Sequence, residues 1–301
     1  MQRRHGLATV TLTLLGWSSV PLFLRHFARS IDAWTSNGVR YGFAALLWLP
    51  VLLFAARRRT LPRGLLRAAL LPSLFNCLGQ VAFALAHYRT DPGLLTFGMR
   101  TQIVFVAAGA AALFPAERAL LRRPTFIAGM VLVFGGSLSM AVFGGALRGA
   151  SGEGFGLAVL AGVMFACYGL AVRRNMQGAP PILAFSAISQ YTAAGMIAAM
   201  LLLGRDHGLG AAQLPGPEIA LLLGSAVIGI ALGHVLYYTS IARLGVTLTA
   251  GVIQLQPFCV AAASFFLFGE RLSPAQWIAG GVAVSGAALM LVAQARGQTK
   301  S

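Results

Sequence analysis

Residues 126–138 read FIAGMVLVFGGSL and residues 277–289 read WIAGGVAVSGAAL. Seven of the thirteen positions are identical at an offset of 151, and each copy follows a Glu-Arg pair that closes an apolar run, Glu117-Arg118 and Glu270-Arg271. A second match, LGQV at 78–81 and LGHV at 232–235, lies at a similar offset. Such internal repetition predicts a chain built from two copies of one unit. The seam is the Gly-rich stretch GGALRGASGEG at 144–154, which divides the chain into residues 1–147 and 148–301 and has the composition of a flexible connection.

Of the 301 residues, 57% are hydrophobic and only 10% are charged, too few to cover a water-soluble surface, which needs roughly a quarter. Ten apolar runs follow one another at 6–24, 33–55, 66–86, 93–114, 124–143, 154–172, 181–203, 219–240, 246–268 and 275–294. Each is about long enough to cross a ~30 Å hydrocarbon layer. The fold class expected is therefore an all-α integral membrane protein with ten transmembrane helices. Five spans per unit is an odd number, so the second unit must enter the membrane from the opposite side, giving two inverted five-helix repeats.

The net charge of +16 would suggest nucleic acid if the chain were soluble. Here the arginines cluster between apolar runs, where lipid headgroups lie, so membrane lipids are the expected partner and nucleic acid is not. With the N-terminus inside, the inner segments hold 15 basic residues and the outer segments 6. That imbalance predicts a multi-pass protein of the cytoplasmic membrane with both termini in the cytoplasm. The first run, after Arg3 and Arg4, has no small-x-small cleavage site and is expected to remain as a span.

No HExxH or GxSxG motif occurs, and no connecting segment is long enough for a soluble catalytic module. We therefore expect no enzyme activity and no cofactor. Cys77, Cys167 and Cys259 fall inside apolar runs without ligand spacing, as packing residues would, so no metal is expected. All seven acidic residues, Asp32, Asp91, Glu117, Glu153, Asp206, Glu218 and Glu270, lie at span ends or in connections. This argues against an ion site or proton relay built on buried carboxylates.

The remaining basic residues, Arg40 and Arg100, each lie about seven residues into a span, roughly 10 Å deep. Each is read either as a clamp for a substrate anion or as a side chain that snorkels or caps backbone carbonyls. Gln80 and His234 occupy matching places in the two units. His234 is the one side chain within these spans whose ordinary titration lies near neutral pH, which makes it the candidate for proton coupling; the alternative is an interhelical hydrogen bond. In QLQP at 254–257, Pro257 should distort the span and leave carbonyls to line a cavity or find side-chain partners. Gln254 and Gln256 point about 200° apart, and Gln254 is preferred for the cavity. Trp17, Tyr41, Tyr168, Tyr191, Tyr237 and Tyr238 are candidate pocket residues, with interface belt or packing as the alternative, and Tyr191 joins the substrate-binding set. Gly129, Gly135 and Gly136, matched by Gly280, Gly286 and Ala287, are read as small faces that let helices approach closely.

The repeated pattern FPAERAL at 114–120 and FGERLSP at 268–274, the Gly-rich fifth and tenth spans, Arg40-Tyr41 in span two and FACYGLAVRR at 165–174 resemble the EamA-type carriers of the drug/metabolite transporter superfamily. The first unit departs from the pattern, with Pro-Ala before Glu117 and two extra residues between Glu117 and Gly129. The resemblance implies a central cavity lined mainly by spans other than five and ten, alternating access, and a small-molecule substrate, with export of amino acids or related compounds common in the family. The expected function is secondary transport of a small amino-acid-like or anionic metabolite. The alternatives are an exporter of amphipathic drugs or cations, and a non-transporting lipid-handling or scaffold protein.

Overall fold

The computed structural model describes residues 2–114, 118, 121–143, 149–244, 249, 252–253 and 255–298, and among them only helices, turns and bends occur. The helices are α1 (Gln2–Phe27), α2 (Ala33–Arg57), α3 (Leu65–His87), α4 (Pro92–Gly98), α5 (Gln102–Leu113), α6 (Pro124–Phe143), α7 (Gly149–Asn175), α8 (Pro181–Leu203), α9 (Gly216–Ala226), α10 (Gly233–Leu244), α11 (Gln256–Phe268) and α12 (Pro274–Gln298). A 3₁₀ turn, Met99–Thr101, joins α4 to α5, and a π-helical segment, Val227–Leu232, joins α9 to α10. Nine of the resulting continuous helices are long and apolar enough to cross a membrane, and α11 is a shorter apolar helix of 13 residues. Pro257 sits in the first turn of α11, where its missing N–H has no helical partner to lose, so it starts a helix instead of kinking one. Residues 149–154, expected within a flexible seam, are the first turns of α7; residues 144–148 lie outside the described residues.

The packing repeats with the sequence. In each half the third span packs on the first span of the other half: α3 lies against α7, and α10 against α1. Likewise α3 packs on α8 as α9 packs on α2, while α2 meets α8 and α6 meets α12 directly. Exchanging the two halves leaves these pairings unchanged.

The α6–α12 seam is made by glycine. A β-carbon on Gly136 would lie 2.5 Å from the Ala283 amide nitrogen and 2.7 Å from the Ala279 carbonyl. One on Gly286 would lie 2.6 Å from the Gly129 carbonyl, so at both points backbone rests on backbone. Gly135, expected on the same face, points into open space, and Gly280 faces Phe97 instead. Without water in the hydrocarbon layer, such close approach supplies much of the dispersion energy that holds helices together.

Polar residues divide between the ends of the bundle. Asp32 caps α2, accepting from the Trp34 and Thr35 amides at 3.0 Å each, and also from the Arg205 amide at 3.1 Å. Burial acts to raise its carboxyl pKa, but the bonds from Thr35, Arg205 and Trp34 outweigh it and hold the group below the usual carboxylate range. Arg25 pairs with Glu270 at 3.0 Å and Asp91 at 3.5 Å, His26 with Glu218 at 2.8 Å, and Arg89 with Glu153 at 3.3 Å. All described carboxylates lie on this acidic end or in the loop that borders it; Glu117 is outside the described residues. Arg57, Arg58, Arg59, Arg63, Arg67, Arg173 and Arg174 belong to the opposite, basic end.

The seam gives a paired test. Gly136→Val should destabilise the protein by about 1–3 kcal/mol or more, because backbone cannot yield to the new side chain, whereas Gly135→Ala should leave thermal unfolding in detergent nearly unchanged. Equal melting temperatures for the two variants would refute the backbone-on-backbone seam.

Candidate functional site

Arg40 lies on the inward face of α2, seven residues from its start, and is 1% exposed. Its Nε donates to Ser225 Oγ at 2.9 Å, and Ser225 is the last polar residue of α9 before the π segment. Its Nη2 is buried and unmatched among the described residues, 3.4 Å from where Gly229 would carry a β-carbon. A buried guanidinium held by one neutral hydroxyl costs several kcal/mol unless a counter-charge reaches it. The described carboxylates lie at the acidic end or in the loop that borders it, and four of them face Arg25, His26 or Arg89.

Other unmatched polar atoms stand on α2 and on α3, which packs against it. Ser36 Oγ, Asn37 Oδ1 and Tyr41 Oη stand on α2, and Asn76 Oδ1 and His87 Nε2 on α3, each buried without a hydrogen-bond partner among the described residues. His87 was expected just beyond span three. It is instead the last residue of α3, fully buried, with Nδ1 donating to the Phe83 carbonyl at 2.7 Å. Asn76 Nδ2 donates to Thr192 Oγ1 at 3.1 Å, and the Tyr168 and Tyr238 hydroxyls meet at 3.1 Å. These bonds join α3 to α8 and α7 to α10.

A second group centres on Trp17 of α1. Its Nε1 donates to the Gly229 carbonyl at 3.2 Å, and Gly233 has no β-carbon to obstruct the indole. Its own carbonyl accepts from Gln256 Nε2 at 2.9 Å. Gln256 Oε1 in turn accepts from Arg100 Nη2 at 3.1 Å. Arg100 also donates to the Thr96 and Ile253 carbonyls at 3.2 Å each. Arg100 thus binds the backbone where the ninth span begins again, so the carbonyls expected near Pro257 are met by side chains. Gln256, 9% exposed, makes these bonds; Gln254 lies outside the described residues.

His234 opens the third turn of this arrangement. Its Nδ1 donates to the Ile230 carbonyl at 3.0 Å within the π segment, since a carbonyl can only accept. The ring stacks on Phe185 at 4.6 Å and meets Trp17 edge-on at 5.6 Å, and Trp17 packs on Tyr237 at 4.9 Å. π turns take backbone carbonyls out of the α-helical pattern, and here Trp17 and His234 bond two consecutive ones. Gln80, the partner of His234 in the first unit, is half-buried, and its backbone carbonyl accepts from Asn37 Nδ2 at 3.0 Å. Tyr191 packs elsewhere, in a cluster with Tyr168, Leu65, Met176 and Ile188. The structure therefore gathers Arg40, His234 and Trp17 around one π segment, ties Arg100 to them through Gln256, and sets Tyr191 apart. Ser225, Asn76 and His87 were not singled out from sequence. The closest signal for the π segment was Gly229 and Gly233, spaced to admit an indole.

Among the described residues no group of three or more His, Cys, Asp or Glu side chains could hold a metal, and the three cysteines are free. An all-helical bundle of membrane-crossing length, with its polar side chains turned inward, defines a multi-pass membrane protein. The chain belongs to the EamA-like transporter family, matched at residues 4–143 and again at 152–292. It is similar in fold to a solved structure titled "Crystal structure of protein", with a TM-score of 0.63 and 16% identity over 95% of this chain and 96% of that one. No curated protein matches by sequence.

Trp17→Phe keeps the ring and deletes the N–H that meets the Gly229 carbonyl. It should lower stability by about 1–3 kcal/mol, the cost of an unmatched buried acceptor, and quicken amide exchange across 227–234. Unchanged exchange there would show that the π segment does not depend on Trp17.

Proposed function

We propose that this protein is a secondary carrier for a small anionic or amino-acid-like metabolite, and that Arg40 binds the substrate's anionic group. The observation that carries the reading is the buried Arg40 Nη2, for which the described residues provide no acceptor. An oxyanion entering beside Gly229 would satisfy it and offset the burial of the charge. Asn37 and Tyr41 of α2, with Asn76 and His87 of α3, add unmatched polar atoms suited to the rest of a polar substrate. Gln80 and His234, at matching places in the two units, complete the walls, Arg100 at the 3₁₀ turn of span four borders them, and Gln254 is kept in the binding set from its place in the QLQP sequence. Two buried guanidinium groups disfavour a cationic drug as substrate.

In this reading the ten spans form two inverted five-helix repeats that rock about α6 and α12 to give alternating access. The basic end faces the cytoplasm and holds both termini, in keeping with the excess of inner arginines, and the physiological direction is export. Arg40→Gln should raise the transport KM in proteoliposomes at least tenfold with normal expression and folding, and Arg40→Lys should recover little of it, because an ammonium does not reproduce the fork. Wild-type transport constants in both variants would remove Arg40 from the site.

His234 is the proposed proton-linked group. Its Nδ1 is engaged with Ile230, which leaves Nε2 to exchange the proton, and the neighbours facing it from α1 and α8 are the uncharged rings of Trp17 and Phe185. His234→Gln should flatten the pH dependence of transport between about pH 5 and 8 and abolish accumulation driven by a proton gradient. A variant that still concentrates substrate with the original pH profile would show that coupling resides elsewhere.

A further inference from the structure

All the arginine–carboxylate and histidine–carboxylate pairs found among the described residues lie at the acidic end, and three of them join residues of the first family match to residues of the second. Arg25 at the end of α1 bonds Glu270, just past α11, at 3.0 Å. His26 reaches Glu218 in the first turn of α9 at 2.8 Å, and Arg89, after α3, reaches Glu153 of α7 at 3.3 Å. The Asp32 carboxylate holds the Arg205 amide across the same division. Glu270 is further fixed by Ser264 of α11, and Asp91, which precedes α4, stands on the other side of Arg25. At the basic end the two halves are joined by contacts of another kind. Ser240 Oγ donates to Thr9 Oγ1, Arg123 Nη1 donates to the Ala293 carbonyl, and the Arg173 guanidinium lies over the Phe114 ring.

We infer that the acidic end is an ionic latch: the pairs Arg25–Glu270, His26–Glu218 and Arg89–Glu153 hold the two halves closed there, and their separation opens the substrate site to that side. The side chains suit this use. Those of Arg25 and Glu270 are 32% and 15% exposed, so the pair is strong enough to bias a conformation and wet enough to exchange its partners for water. The Asp32–Arg205 bond lies at the same end, where α2 begins and the Arg205–Gln213 segment follows α8. The inference rests on the carrier reading for what the opening admits, but the latch can be read without any substrate.

The experiment measures distances between spin labels by double electron–electron resonance in the full-length protein in lipid nanodiscs, with Cys77, Cys167 and Cys259 replaced by Ala. One label pair, Arg29→Cys with Gln213→Cys, reports the acidic end, and another, Arg63→Cys with Arg174→Cys, reports the basic end. Each of these four positions is exposed. Removing two cross-half pairs together, Glu218→Gln with Glu270→Gln, should raise the open-to-closed ratio by on the order of tenfold, the combined worth of two partly exposed pairs. It would appear as a longer component at the acidic end with a matching shortening at the basic end. The charge-reversed pair Arg25→Glu with Glu270→Arg should restore the closed distances. Unchanged distributions in a monodisperse Glu218→Gln/Glu270→Gln protein would overturn the latch, as would broadening at both ends that the reversed pair does not correct. Shifted distances in a protein that transports nothing in the proteoliposome assay would sink the carrier reading and leave the latch standing.

Discussion

Hydrocarbon offers a backbone carbonyl no water, and the organisation of this bundle follows from that constraint. Where a span stays α-helical, its own turns supply every bond. Where it does not, a side chain from another span must arrive. The π segment of span eight is met by Trp17 from α1 and by His234 from its own next turn, and the restart of span nine is met by Arg100 from span four. Two glutamine bonds then tie these repairs together, from Arg100 through Gln256 to the Trp17 carbonyl. The irregular parts of spans four, eight and nine are therefore one connected structure, joined through Trp17 of span one, and moving one of them disturbs the others.

The two buried arginines divide along the same line. Arg100 gives its N–H groups to backbone and to Gln256, so its charge is spread into the fold. Arg40 has the Ser225 hydroxyl and keeps an unmatched nitrogen beside Gly229. Stability alone would favour an apolar residue there, since a well-packed hydrophobic side chain carries no desolvation cost. A position that retains an unmatched charge in the driest part of a molecule is the kind of place where a ligand's interaction energy is largest.

How much of this was legible depended on the distance over which a residue finds its partner. The duplication at 126–138 and 277–289, the apolar run lengths and the carboxylates at span ends are local facts, and they led directly to the helical membrane fold and the family. The glycine seam was legible as a composition but not as a phase: Gly136 and Gly286 lie in it, while Gly135 faces open space and Gly280 faces Phe97, because a helix face is fixed only once its partner's position is known. Arg100 presented two readings in sequence, clamp or carbonyl cap, because the carbonyl it binds, at Ile253, is 153 residues away. His87 was passed over for a plainer reason. Span three ends one residue later than its apolar run suggests, and that residue is the imidazole, which the helix carries into the bundle instead of an aqueous connection.

The π segment at 227–232 also sets a phase. A π turn accommodates one residue more than the α-helix would, so the residues after it are rotated relative to those before it. Ser225, which holds Arg40, lies on one side of that step, and His234, Tyr237 and Tyr238 lie on the other. Were the same residues wound as regular α-helix, with none removed, α9 and α10 would merge and the second set would turn by about 100° about the axis. Arg40 would keep its hydroxyl partner, yet the histidine and both tyrosines would leave the face they share with Trp17 and Phe185. In a helix whose composition is otherwise unremarkable, the way the chain winds at this one place carries as much information as the identity of any side chain.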